Sequence, residues 1–374
     1  MKNEGFKRSS VAVAIALALC SGPALAGGLD RTMEPVGILF APGNYAELSI
    51  GYVAPTISGV GTSKTTGASS GNMTSDFTLP GFALKVKGSD VMDFALIYDR
   101  PFGADFSYPT GTGYYAQGWN GSISTQALTG IIKYRFGSGF SVYGGPRYET
   151  LSAQVSLPSL RNYDLSVSRA TAFGYVAGVA YERPVSGTRA SLTYNSKVDF
   201  STTATESGGF GVAGSTALPI DMPQSIRLDL RQAISRTTVV LASARWADWP
   251  QTYYAPPDYM RTPGGVQPLL TYPSARWDFS AGIGHKFSSH WSGAIMLGYE
   301  PADGKYTGNL APVDGKKSIG PVVSYTVGKV TITGLVSYIE VGDAQPGNNT
   351  MTASTANFTG NHAIAAGIKV GYAF

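Results

Sequence analysis

The sequence predicts an all-β fold, a transmembrane antiparallel β-barrel of about 14 strands. Three observations carry this: strict two-residue alternation, connections that are short and long by turns, and two belts of aromatic residues.

Alternation is clearest in residues 362–374. Ile364, Ile368, Val370, Tyr372 and Phe374 are large and apolar. Between them stand Ala363, Ala365, Gly367, Lys369, Gly371 and Ala373, all small or charged. Successive side chains of a strand point to opposite faces. One face therefore suits hydrocarbon, and the other a crowded or wet interior. An aromatic last residue also resembles the terminal strand that barrel-insertion machinery recognises, with Phe374 as its signal.

The start of the chain agrees with export. Lys2, Lys7 and Arg8 precede an apolar run from Val11 to Leu19, and Ala24-Leu25-Ala26 offers a cleavage site. The run is shorter than the about 20 residues of a helical span. Residues 1–26 read as a removed signal peptide. Cys20 raises a lipoprotein alternative, disfavoured by Leu19 where such a site wants a small residue. Cys20 is the single cysteine, so the processed chain offers neither disulfide nor thiolate metal site.

Composition excludes several classes. Only 14% of residues are charged, and hydropathy averages near zero, the balance of strands half apolar and half polar. The formal charge of +4 falls to +2 without Lys2, Glu4, Lys7 and Arg8 of the leader, which gives no basis for a nucleic-acid partner.

Alternating segments occupy 44–57, 78–88, 91–103, 120–136, 139–155, 168–184, 188–202, 219–233, 237–249, 272–287, 290–301, 316–327, 329–341 and 360–374. Every second connection is tiny, as in Gly88-Ser89-Asp90, Val185-Ser186-Gly187 and Gly328. The intervening ones are long: 58–77, 104–119, 203–218, 250–271, 302–315 and 342–359, with a shorter one at 156–167. Periplasmic turns and extracellular loops produce this alternation. Aromatics fall at both strand ends: Tyr134, Phe136, Phe140, Phe287, Trp291, Tyr325 and Tyr372 beside the turns, and Tyr98, Tyr148, Trp246, Trp277, Tyr299 and Tyr338 beside the loops. Such belts sit at the two membrane interfaces.

The strand phases turn charges of both signs inward: Asp93, Asp99, Lys133, Arg135, Arg147, Glu149, Lys197, Asp199, Asp221, Arg227, Asp229, Arg231, Arg245, Asp278, Lys286, Glu300 and Lys369. They read first as a structural ion lattice, and second as a polar conduction path or acid–base site. His285, His290 and His362 sit at a turn or strand end, and no nucleophile elbow, metal spacing or phosphate loop accompanies them. The expectation is a chain without catalytic residues, metal or other cofactor. An outer-membrane hydrolase is the enzymatic alternative.

Several stretches together resemble the FadL/TodX family of outer-membrane transporters of long-chain fatty acids and other hydrophobic compounds. These are Leu29-Asp30-Arg31 leading into 43–53 and Ile57-Ser58-Gly59, then Tyr98-Asp99-Arg100-Pro101-Phe102-Gly103-Ala104, and Leu218-Pro219 through Arg227 running on to Arg245-Trp246-Ala247-Asp248-Trp249. The resemblance spans most of the processed chain. It implies an N-terminal hatch in the lumen, apolar extracellular loops that collect ligand, and a sideways exit through a kink in strand three. Pro101, which lacks an N–H, and the flexible Gly103 suit such a kink, or end the strand beneath its loop.

The loops offer an apolar landing surface for such a ligand, or pack on one another: Phe106, Tyr108, Tyr114, Tyr115 and Trp119, then Phe210, Val212 and Leu218, then Tyr253, Tyr254, Tyr259, Met260, Leu269 and Leu270. The residues of chief interest for ligand contact are Phe106, Tyr108, Tyr114, Tyr115, Phe210, Tyr253, Tyr254, Tyr259 and Leu269. The N-terminus departs from the family, being short and lacking its Asn-Pro-Ala stretch. A short luminal plug is still expected, with Met33, Val36, Ile38, Leu39 and Phe40 as its apolar part and Lys369 as an ionic partner for Asp30 or Glu34.

The organisation expected is therefore a signal peptide over 1–26, a hatch-like plug over 27–43 and a barrel over 44–374 in the bacterial outer membrane. Its partners are outer-membrane lipid and a hydrophobic small molecule. The function expected is passive uptake of long-chain fatty acids or aromatic hydrocarbons. The rivals are a structural or adhesive barrel and a general porin.

Overall fold

The computed structural model describes residues 29–211, 213–263, 268–348 and 350–374. The segment read as a signal peptide, Gly27, Gly28 and Val212 lie outside the described residues.

Fourteen barrel strands follow in chain order. They are β1 (Tyr45–Thr56), β2 (Phe77–Lys87), β3 (Met92–Asp99 and Gly103–Ser107), β4 (Asn120–Arg135), β5 (Phe140–Leu157), β6 (Tyr163–Arg183) and β7 (Thr188–Asn195 and Val198–Ser207). After them come β8 (Gly214–Met222 and Ser225–Ala233), β9 (Thr238–Ala247), β10 (Arg276–Lys286), β11 (Trp291–Glu300), β12 (Lys316–Val327), β13 (Val330–Val341) and β14 (His362–Ala373). Each strand pairs antiparallel with its neighbour. β1 pairs with both β2 and β14, so the sheet closes. Closure joins the first strand to the last and leaves the sheet without a free terminal strand, the condition for a sheet in lipid.

The phase read from residues 362–374 holds. Ala363 and Ala365 are buried, whereas Ile364, Ile368, Val370, Tyr372 and Phe374 are exposed on the outer face. The same outward stripe recurs around the barrel through Leu48, Phe94, Ile132, Leu228, Ile295 and Val336. The turn between β6 and β7 needs its glycine. Gly187 has φ +63°, and a Cβ there would stand 2.5 Å from that of Ala233.

Two phase breaks correct the sequence reading. Ser191, Thr193 and Asn195 are buried inward, but after Ser196-Lys197 the buried positions become Val198, Phe200 and Thr202. In β8 the buried Leu218, Ile220 and Met222 give way, across Pro223-Gln224, to Ser225 and Arg227. Lys197, Asp199 and Asp221 thus lie on the outer surface as an ion cluster, with Lys197 2.6 Å from Asp199 and 3.1 Å from Asp221, and not in the lumen. Pro223 cannot donate to the ladder, and the two residues at each break invert the two-residue alternation. The loop expected over 203–218 is correspondingly mostly strand, and β6 begins at Tyr163 inside the connection expected at 156–167.

Residues 29–40 run inside the barrel. Leu29, Asp30, Arg31, Met33, Glu34, Val36, Ile38 and Leu39 are all buried, and Gly37–Phe40 forms a single 3-10 turn.

Candidate functional site

The inward positions divide into two environments. Over the loop-side half of β5–β8 they are apolar, as at Leu151, Val155, Val167, Phe200 and Ile220, and belong to one large buried cluster with Phe102, Phe106, Tyr108 and Tyr114. Toward the short turns ion pairs stand among apolar side chains: Lys85 pairs with Asp93 at 3.5 Å, Lys133 with Glu182, and Arg227 with Asp229 at 3.0 Å, near the buried Ala83, Ile131, Tyr143 and Val239.

The N-terminal segment is tied across this lumen by ions. Glu34 accepts from Arg147 of β5 and, at 2.8 Å, from Ser225 Oγ of β8. Asp30 pairs with Arg245 of β9 at 3.0 Å and accepts from Trp249 Nε1 at 3.3 Å. The lattice continues to Lys316, 3.0 Å from Asp278 and 3.5 Å from Glu300. Lys369 does not join it. It pairs with Glu47 at 3.2 Å, because the β1–β14 register sets Ser49 opposite Lys369 and makes Glu47 its diagonal neighbour on the same face.

Strand three is broken where the sequence placed Pro101 and Gly103. β2 pairs with β3 only from Phe82–Tyr98 down to Lys87–Asp93. Beyond Asp99, β3 leaves β2 and its second part pairs with β4. Residues 77–81 of β2 keep their pairing with β1 but have none with the described residues of β3. Above the break the wall rejoins, through a bridge between Thr74 and Phe106. The result is a window in the wall, bounded by β2 on one side and residues 99–105 on the other.

The N-terminal segment occupies that window. Gly103 N donates to Leu29 O at 2.7 Å, and Arg31 N donates to Pro101 O at 2.8 Å. The Arg31 guanidinium lies over the Phe77 ring and pairs with Asp105 at 3.0 Å. Inside the window is a cavity of about 180 Å³, lined by Thr32, Val36, Leu79, Gly81 and Asp99 among others.

A second cavity, of about 380 Å³, opens among the loops, lined by Tyr115, Trp119, Tyr259, Leu269, Leu310 and Met351 among others. Burial pushes the Tyr259 hydroxyl up to about 12, so it stays neutral and able to donate. Tyr272, which also lines this cavity, lies tilted against Trp249 at 4.9 Å, and Trp249 meets Phe102 edge-on at 5.7 Å. These three rings stand in series between the loop cavity and the wall window.

The expected loop residues separate into groups. Tyr115, Tyr259 and Leu269 come together around the loop cavity, with Trp119 and Leu270. Phe106, Tyr108, Tyr114 and Tyr254 are buried in the apolar cluster, with Tyr108 and Tyr114 stacked at 5.6 Å. Leu218 points inward from β8, Tyr253 is half exposed, and Phe210 lies under the Arg161 guanidinium at 4.3 Å. Of the expected plug residues, Met33, Val36, Ile38 and Leu39 are buried, and Phe40 lies between Lys133 at 4.3 Å and Arg189 at 4.4 Å. Sequence reasoning passed over Arg31, Phe77, Tyr272 and Arg276. Arg31 was visible only as part of the Leu-Asp-Arg stretch.

No protein-family model matches the chain, and no curated protein sequence matches it. Solved structures do share its fold. A Pseudomonas aeruginosa FadL homologue superposes with a TM-score of 0.72 at 16% identity, over 95% of this chain and 97% of that one. The Ralstonia pickettii toluene transporter TbuX gives 0.62 at 15% identity, over 90% of each chain. The Pseudomonas putida toluene transporter TodX gives 0.62 at 16%, over 94% of this chain and 97% of that one.

Proposed function

We propose that this chain is an outer-membrane channel for passive uptake of hydrophobic molecules, long-chain fatty acids or aromatic hydrocarbons, with sideways release through the break in strand three. The observation that carries the reading is the wall window between residues 77–81 and 99–105, with a cavity on its luminal side.

Polarity supports the direction of travel. A greasy ligand is captured at the loops by burying apolar surface, worth roughly 25 cal/mol per Å². Straight passage to the periplasm would bring it against the buried N-terminal segment and the paired charges of the turn-side lumen, whose desolvation is costly. A sideways route keeps it against the Phe102 and Trp249 rings and then delivers it to the exposed apolar outer face. The likeness to toluene transporters and to a FadL homologue supports a hydrophobic cargo. Uptake of this kind runs down a concentration gradient and asks for no cofactor or catalysis.

In this reading residues 27–43 are the luminal plug, and their ion ties to Arg147 and Arg245 hold it closed. The same segment, tied across the lumen to Arg147 and Arg245, weighs against a general porin. The chain would reach its membrane through barrel-insertion machinery that reads Phe374.

The test is uptake of oleate and of toluene by cells with and without the protein, paired with conductance in planar bilayers. Uptake that depends on the protein, with little conductance, supports the proposal. Equal uptake in both strains sinks it, and a large open current favours the porin.

A further inference from the structure

The loop cavity has a feature that a site for bare hydrocarbon would not need. Three polar atoms on the side chains that line it are buried without a hydrogen-bond partner among the described residues: Tyr272 Oη, Thr307 Oγ1 and Arg276 Nε. Their residues are 6%, 8% and 3% exposed, so bulk solvent does not serve them. Leaving a buried polar group unpaired is costly, and buried polar groups in folded proteins nearly always have partners. A few convergent polar groups in an apolar pocket are the usual means of orienting a ligand.

The charge state of the cavity narrows the ligand further. The Arg276 guanidinium is already neutralised, with Asp314 at 2.8 Å and Asp303 at 3.5 Å. Those carboxylates are themselves held. Asp314 accepts from the backbone N–H groups of Asp303 and Gly304 at 3.0 and 2.8 Å, and Asp303 from Ser274 Oγ at 2.5 Å. What Arg276 still offers is one N–H and no net positive charge. Thr307 uses its backbone N–H on Gln345 O at 3.0 Å, which leaves its hydroxyl to the cavity. Lys64 is the other cation of the lining, but it stands exposed, 5.1 Å over the Tyr115 ring.

We propose that the loop cavity takes a neutral, oxygen-bearing hydrophobic molecule, a ketone, alcohol or phenol, whose oxygen is bonded by Arg276 Nε–H and by the Tyr272 and Thr307 hydroxyls. This rests on the uptake reading above and names the substrate class of the same path. It sets the ligand apart both from a plain hydrocarbon, which would leave the three groups unpaired, and from a carboxylate, which would meet Asp314 and Asp303 through an already neutralised arginine. A site built around donors discriminates against an analogue that lacks the acceptor.

The experiment measures binding of three similarly shaped probes to the purified full-length protein in detergent: ethylbenzene, acetophenone and benzoate. Each is repeated with Tyr272→Phe and Thr307→Val. Acetophenone affinity should fall roughly fivefold to tenfold in each variant, while ethylbenzene affinity stays within about twofold. Benzoate should bind more weakly than acetophenone to the unaltered protein. Neither substitution should lower the melting temperature of the ligand-free protein, since each removes an unpaired buried hydroxyl, and that measurement guards against misfolding. Equal losses for acetophenone and ethylbenzene, or none for either, overturn the proposal and leave these groups to water. Benzoate binding tightest, with loss in the same variants, overturns the neutral-oxygen assignment. Failure of all three probes to bind the unaltered protein strikes instead at the uptake reading, and the two failures are thereby distinguished.

Discussion

Arg31 Nε donates to Gly103 O at 2.9 Å, and this contact places a guanidinium in the gap where β3 has left β2. A Cβ on Gly103 would stand 3.3 Å from Arg31 Nε and 3.0 Å from Ile123 O, so the glycine makes room for the arginine. If the window is the exit, Arg31 is its latch. Arg31→Ala loses this hydrogen bond and a partly exposed ion pair with Asp105, at a stability cost of about 1–2 kcal/mol. It should raise the initial rate of toluene uptake. Gly103→Ala, which crowds Arg31, should act in the same direction. Unchanged uptake in both variants, with normal amounts of folded barrel, would remove Arg31 from the path.

Pinning the window should do the opposite. The β2–β3 register ends at Phe82–Tyr98, and the next pair in sequence would be Gly81 with Asp99. If the processed chain lacks Cys20, cysteines at these two positions meet no competing thiol. We predict that Gly81→Cys with Asp99→Cys, once oxidised, abolishes uptake while probe binding at the loop cavity persists, and that a reductant restores uptake. Full uptake by the oxidised protein would count against the sideways route.

The plug should depend on Glu34 and not on Lys369. Glu34 faces Arg147 and lies 3.6 Å from Arg245, with all three side chains buried. Removing one partner of a buried pair leaves an uncompensated charge, typically at a cost of 3–5 kcal/mol. Glu34→Gln should lower the thermal midpoint accordingly and raise conductance in planar bilayers. Adding Arg147→Met should recover part of the stability, since the stranded charge is gone. Lys369→Met should leave the conductance low, because Lys369 is engaged by Glu47 on the wall.

The barrel was legible because its signal is local. A period of two in residues 362–374, and turns as short as Gly328, need no knowledge of the rest of the chain. Pro101 was legible for the same reason, since a missing N–H breaks a ladder wherever it stands. The phase inversions at Ser196-Lys197 and Pro223-Gln224 were not, because one extra residue leaves no trace in composition and only pairing reveals it. Nor was the loop cavity. Its polar groups come from a loop (Thr307), a long connection (Tyr272) and the first residue of β10 (Arg276), and nothing in their spacing brings them together. The aromatics of 104–119 were visible as a cluster, but their sequence could not say that Tyr108 and Tyr114 would stack inward, buried, while Tyr115 lined the cavity.

Acid should disable the loop cavity before it affects the barrel. Burial by itself would raise the Asp303 carboxyl above its usual 3.8, but donation from Ser274 Oγ and Lys305 N–H, with the nearby Arg276 charge, outweighs it and the net displacement is downward. A carboxyl whose folded value lies below its unfolded one stabilises the fold fully above the unfolded value and loses that contribution as pH falls through the folded value. Asp303 helps hold Arg276 and, through Ser274, the approach to β10. Acetophenone binding should therefore be flat from neutrality down to about pH 5 and decline below about pH 4. Asp303→Asn should bind more weakly at neutral pH and lose most of that acid decline, as read by titrating the probe across the range with circular dichroism following the barrel in parallel. A decline of equal size and midpoint in Asp303→Asn would show that another group carries the dependence.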